Sequence, residues 1–230
     1  MSLAPDLRLL DTCIWQSLCG PHRDFSVGTE TIRRYAPGFS PIISFAQGAR
    51  PNWAAFSPYC APGEACYCDA WSGPLPLDWT VDVDSAALMM VWAGNRLPVA
   101  DGPSIVPLEA RHADQMVDLA TRTHPGPFGL RTRELGDFFG CFDNGRLIAM
   151  AGERFWAEPF REISGVCTDP AYQGRGLARR LMATLVARHQ ARGQTSFLHV
   201  MRDKPEVRQL YERLGFVAYR ERVVRVITRH

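Results

Sequence analysis

The chain has 230 residues, 46% hydrophobic and 22% charged, with a formal net charge of +2. That is too apolar for a disordered segment and too balanced in charge to point to a nucleic-acid partner. No apolar run approaches the roughly 18–20 residues that a spanning helix needs, and Asp6 interrupts what would be the core of a secretory leader, so a cytoplasmic protein without a membrane partner is expected.

The length admits one large domain or two of about 100–130 residues, each able to bury a core. Seven cysteines, an odd number without a framework spacing, read as reduced thiols. Cys60, Cys66 and Cys68 cluster, but no fourth ligand lies nearby in sequence; buried small residues and no metal are expected. Of the 26 basic residues all but Lys204 are arginine, a skew that a G+C-rich genome accounts for.

Pro5 and Asp6 open a helix with an apolar stripe of Leu7, Leu10, Ile14, Trp15 and Leu18, and Gly20-Pro21 stops it. Residues 35–74 are rich in Pro and Gly, with short strands at Ile42–Phe45 and Ala65–Cys68 between turns. Residues 86–92 read as a buried strand or a short helix. The stretch 93–103, holding Gly94, Pro98, Gly102 and Pro103, is the expected boundary between an N-terminal α+β accessory domain (1–100) and a C-terminal domain (101–230).

Beyond the boundary the pattern predicts a strand at 104–108, a helix at 111–123 broken by His124-Pro125-Gly126-Pro127, and a short second helix at 132–139. A hairpin follows around Asp143-Asn144-Gly145, where Asn-Gly tolerates positive φ. A strand at 162–168, a glycine-rich loop, a long amphipathic helix and a near-continuously apolar strand, Thr195–Met201, come next. A helix over Pro205–Leu214, closed by Gly215, precedes a last hairpin of strands at 216–219 and 222–227. The order is that of an α/β layer fold.

The loop Gln173-Gly174-Arg175-Gly176-Leu177-Ala178 sits where a strand hands over to a helix. Helix N-terminal N–H groups lack intrahelical partners and the dipole favours an anion, so the loop is suited to a phosphate. A Walker loop would end in Gly-Lys-Ser/Thr, which is absent. A dinucleotide fingerprint would follow the first strand of its domain, and this strand is the fourth. A glycine turn that merely ends a strand stays open on the loop alone.

With Val-Cys-Thr-Asp-Pro before it and Leu-Tyr-Glu-Arg-Leu-Gly-Phe (residues 210–216) downstream, the loop resembles the GNAT superfamily pattern Gln/Arg-x-x-Gly-x-Gly/Ala over about residues 103–228. Pro125–Phe128 and residues 149–154 look like a bacterial subgroup with an added N-terminal domain. The resemblance implies a mixed, splayed β-sheet flanked by helices in the C-terminal domain, preceded by a smaller α+β domain. It also implies an acetyl-CoA-dependent N-acetyltransferase. The pantetheine arm would run beside Val166, Cys167 and Thr168. The pyrophosphate would lie on N–H groups from Gly174 to Ala178, with Arg175 or Arg179 either reaching a phosphate or solvating the surface.

The reaction is direct attack by a neutral amine. Deprotonating a lysine-like amine at pH 7 costs roughly 4–5 kcal/mol, an α-amine only about 1–1.5. Glu162 is the first candidate for general base, on one strand face with Ser164, Val166 and Thr168; pairing with a neighbouring arginine is the competing reading. Glu153 is the second candidate, and Tyr211 matches the family's general acid. Asp203-Lys204-Pro205 departs from the family, which often has Asn there. Cys167 is not expected to carry an acyl group, and His199 reads as a hydrogen-bonded core residue. The acceptor is expected to be a small-molecule or peptide amine, and assembly as a homodimer is left open. The alternative function is a non-catalytic acyl-CoA-binding sensor or partner-binding module.

Overall fold

The computed structural model describes residues 5–47, 50–69, 71, 73–94, 97 and 102–230. In chain order its strands are β1 Ser26–Gly28, β2 Ile32–Tyr35, β3 Ile42–Phe45, β4 Ala65–Cys68, β5 Trp79–Trp92, β6 Val106–Pro107, β7 Phe138–Asp143, β8 Arg146–Ala157, β9 Phe160–Thr168, β10 Thr195–Met201 and β11 Phe216–Arg229. The helices are α1 Cys13–Cys19, α2 Trp53–Phe56, α3 Ala113–Thr123, α4 Leu177–Ala191 and α5 Pro205–Leu214. All the strands join one mixed sheet in the order β1-β2-β3-β4-β11-β5-β10-β9-β8-β7-β6.

β5 is the hinge of this topology. It comes from the first hundred residues, yet it is antiparallel to β10 on one side and to β11 on the other. Ala87 therefore sits between Met201 of β10 and Arg222 of β11. The sheet is continuous across the boundary expected near residue 100, and of the expected linker, residues 95, 96 and 98–101 lie outside those described.

The element readings need two corrections, and one open choice is decided. The last hairpin is a single strand, β11, with an irregularity between Ala218 and Arg220. It pairs with β5 along one edge and with β4 along the other, so nothing folds it back on itself. Residues 138 and 139 are strand, not helix, and the helical turn before them is 3-10 from Thr132 to Leu135. Residues 86–92 are the inner end of β5, whose outer half is exposed.

The two faces of the sheet are covered separately. Leu181, Met182, Leu185 and Val186 of α4 pack with Ile148, Ala149, Ile163 and Leu198. On the opposite face Leu10, Cys13 and Leu18 at the α1 end pack with Met89, Phe155, Phe160 and Phe197. Truncating a fully buried leucine such as Leu181 in this sandwich would cost about 2–5 kcal/mol.

The centre of the sheet opens. β9 and β10 run parallel but pair only from Thr195↔Phe160 to Phe197↔Glu162, and then separate. Beside the gap, β8 and β9 pass from Met150↔Cys167 to Gly152↔Ser164, which leaves one extra residue on β9. Gly165, at φ +62, takes the strain of that bulge without a Cβ penalty. The bulge also breaks the alternation by which residues 162, 164, 166 and 168 were expected to share a face.

Candidate active site

The loop after β9 is held by hydrogen bonds within the chain. Asp169 caps a short 3-10 turn by accepting from Ala171 N at 3.0 Å. Its other oxygen accepts from Arg122 Nη1 and Arg146 Nη2, each at 2.7 Å. The hydrogen bond from Arg122 leads the effects that hold the Asp169 carboxyl below its usual range. Gly174 and Gly176 both have φ near +75, at 75 and 74, and Gly176 is the N-cap of α4. The backbone N–H groups from Gly174 to Arg179 have no backbone acceptor among the described residues, and the first helical bond is Arg180 N to Gly176 O. A Cβ added at either glycine would meet nothing within 4 Å, so the outer side of the loop is open.

This loop forms one end of a cleft of ≈ 650 Å³ in the opening between β9 and β10. Val166, Cys167, Thr168, Gln173, Gly174, Gly176, Leu177, Ala178 and Arg179 all line it, as do Leu210 and Tyr211 of α5. Arg175 does not. Its guanidinium lies 4.8 Å from the Tyr172 ring centroid and donates to Ala171 O. A second pocket of ≈ 270 Å³ meets the cleft at His124, Pro125, His199, Met201 and Lys204. Its far wall comes from the first hundred residues and β11, including Ile14, Ile42, Asp69, Ala87 and Arg222.

His199 stands at the junction of the two. Its Nδ1 is 2.7 Å from Oε1 of Glu162, and its side chain keeps 15% exposure. Glu162 lies behind it, fully buried, and lines neither cavity. Arg154 reaches the same carboxylate through Nε and Nη2, each at 2.8 Å, and Phe155 N donates to it at 3.3 Å. Burial raises the cost of the Glu162 charge, but Arg154 and His199 outweigh it and hold the carboxyl at about 2. An ionised carboxylate can only accept, so the proton of a neutral His199 sits on Nδ1 and Nε2 is left as the acceptor.

Among proteins of known sequence, residues 108–216 match the Acetyltransferase (GNAT) family model. The N-alpha-acetyltransferase RimI of Mycobacterium tuberculosis is 34% identical over 125 residues, which is 50% of this chain and 78% of that protein. A solved acetyltransferase of the GNAT family from Novosphingobium aromaticivorans superposes at TM-score 0.85 with 35% identity, covering 96% of this chain and 99% of that one. The chain belongs to the GNAT acetyltransferase family. A related N-acetyltransferase structure from Kribbella flavida, 14% identical at TM-score 0.60 over 99% of this chain and 96% of that one, shares the fold.

The GNAT family takes acetyl-CoA as its acyl donor, and the longer cleft suits it. The free N–H groups at the α4 N-terminus and the two glycines without neighbours would accommodate a pyrophosphate, and the open edge of β9 would accommodate the arm.

Two further expected residues of this GNAT chain stand in different places. Tyr211 is 7% exposed and lines the donor cleft, and burial pushes its phenol up to about 12. Glu153 points to the other face of the sheet. There His189 Nε2 lies at 3.0 Å and Arg192 Nη1 at 3.1 Å, with Asp137 N donating at 3.2 Å, and neither cavity touches it.

Cys60 and Cys66 lie with Glu64 in a tight group that Cys68 does not join. Glu64 there is paired with the buried Arg34 guanidinium, a fixed positive charge that disfavours a cation. His199 was read as a hydrogen-bonded core residue; its place at the opening, two residues past the Phe197↔Glu162 pair, shows only in the strand register. Asp69 and Arg222 gave no sequence signal, because only the pairing of β4 with β11, elements distant in the chain, brings them together; Lys204 stood out in sequence only as the one lysine and as a departure from the family's Asn.

Proposed function

We propose that this chain transfers an acetyl group from acetyl-CoA to a primary amine by direct attack on the thioester. The observation that carries the reading is His199, which lies where the donor cleft and the second pocket meet, backed by an ionised Glu162. An amine entering from the second pocket would meet the thioester beside Nε2. His199 takes a proton from the bound ammonium so that the neutral amine can attack, and Glu162, expected from sequence to be the base itself, orients the ring and stabilises the imidazolium that forms. A carboxylate held near 2 and tied to Arg154 is a weak base, so its use is through His199.

Tyr211 supports the leaving group. With its phenol at about 12, above a thiol near 8.5, full proton transfer to sulfur is uphill. Tyr211 therefore acts as a hydrogen-bond donor to the departing thiolate. Residues 101–230 are read as the transferase domain and residues 1–100 as an accessory segment whose α1, β3, β4 and β5 wall the acceptor pocket; the span of the family match, 108–216, supports that division.

The test is incubation with acetyl-CoA and a panel of primary amines, following free thiol and the mass of the amine product. Thiol release matched by an N-acetyl product is expected. Binding of acetyl-CoA with no product from any amine would remove the reading.

A further inference from the structure

The walls of the second pocket carry an unusual charge balance. Arg154, Lys204 and Arg222 face a single lining carboxylate, Asp69, among the described residues. Two of the cations are matched: Arg154 by Glu162 behind the wall, and Arg222 by Asp69, with Arg222 Nη2 3.0 Å from Asp69 Oδ2. Lys204, the chain's one lysine, has no carboxylate partner among the described residues, and its Nζ donates to His124 O at 3.4 Å. It stands with His199 at the junction of the two cavities.

The rest of the lining is mostly apolar, with Ile14, Ile42, Ala87 and Val224 from the accessory segment and β11. A polycation such as a polyamine would need several carboxylates and finds one, already paired. A purely apolar amine would leave the Lys204 charge facing it unmatched.

We infer that the acceptor is a small zwitterion, a primary amine that also bears a carboxylate and an apolar side chain, as in an apolar α-amino acid. The inference rests on the acetyltransferase reading and narrows it. Lys204 takes the carboxylate, which places the amine beside His199. The apolar walls take the side chain, and the ≈ 270 Å³ of the pocket suits a ligand of that class rather than a long chain. An α-amine near 8 also asks less of a base than a lysine-like amine.

The test compares matched pairs: leucine against isopentylamine and phenylalanine against phenethylamine, with spermidine and a short peptide bearing a free N-terminus beside them. Each is assayed for thiol release and acetylated mass with the wild type and Lys204→Met. Acetyl-CoA affinity is measured in parallel by calorimetry. The amino acids are expected to exceed their decarboxylated partners in kcat/KM by at least about 10-fold, the worth of one charge-assisted contact. Lys204→Met is expected to shrink that ratio by a similar factor, whatever it does to donor affinity. Higher turnover of the decarboxylated amine, of spermidine or of the peptide would overturn the inference, as would an amino-acid preference unchanged in Lys204→Met. If acetyl-CoA binds and no amine of any class is acetylated, the acetyltransferase reading itself fails. Acetylation of the wrong class removes the zwitterion alone.

Discussion

His199 Nδ1 and Glu162 Oε1 lie 2.7 Å apart, and both oxygens of that carboxylate are also bound by Arg154. The buried charge pair thus fixes the tautomer of a ring that borders both cavities. His199→Gln removes the acceptor nitrogen and is expected to lower kcat by about 10²-fold or more with a strongly basic amine, in line with general-base contributions. The loss should be smaller with an amine near pKa 8, which is partly neutral at pH 7 without help. Steady-state rates on two amines of different basicity check this.

Glu162 links the site to stability. Its ordinary value of 4.5 falls to about 2 in the folded chain. A depressed carboxylate stabilises the fold fully above about pH 4.5, and that contribution is lost as pH falls toward 2. Urea midpoints should therefore drop steeply across that window. Arg154→Met, which leaves the buried Glu162 charge with only His199 and Phe155 N as partners, is expected to cost about 3–5 kcal/mol at neutral pH and to flatten the acid dependence. Equal stability of the variant and wild type at pH 7 would contradict the pairing.

Gly176→Val tests the donor loop. The φ of +74 suits glycine and strains a β-branched residue by about 1–2 kcal/mol, although no neighbour obstructs the new side chain. The side chain would project into the open side of the loop, where the proposed pyrophosphate would lie. Acetyl-CoA affinity measured by calorimetry should fall at least about 10-fold, as expected for losing charge-assisted hydrogen bonds, while the protein stays folded by circular dichroism.

Tyr211→Phe should have a modest effect. One hydrogen bond to sulfur is worth about 0.5–1.5 kcal/mol, so a kcat reduced by about 2- to 10-fold with an unchanged KM for acetyl-CoA is expected. A loss of about 10³-fold or more would instead point to obligatory proton donation.

Much of the donor side was legible in the sequence because it is local. Asp169-Pro170, Gly174 and Gly176 act within a few residues of one another, and their turn chemistry shows in the letters. The acceptor side was not, because β5 pairs with strands more than a hundred residues away and carries Ala87 between Met201 and Arg222. Alternation along β9 placed Glu162 with Val166 and Thr168, and the extra residue at Gly165 undoes that phase. A matching irregularity in β8, between Glu153 and Trp156, brings Arg154 and Phe155 against Glu162. Pattern alone offered a base or an ion pair for that residue. The ion pair is present, and its carboxylate also holds His199.

The most direct test of the account is the rate of N-acetyl product formation as a function of pH, for wild type and His199→Gln, with thiol release followed in the same samples. Stoichiometric thiol and product are expected for the wild type. For the variant the rate is expected to keep climbing with pH as the amine deprotonates in solution, approaching the wild type only at high pH. A variant profile that matches the wild type in both shape and height would contradict it.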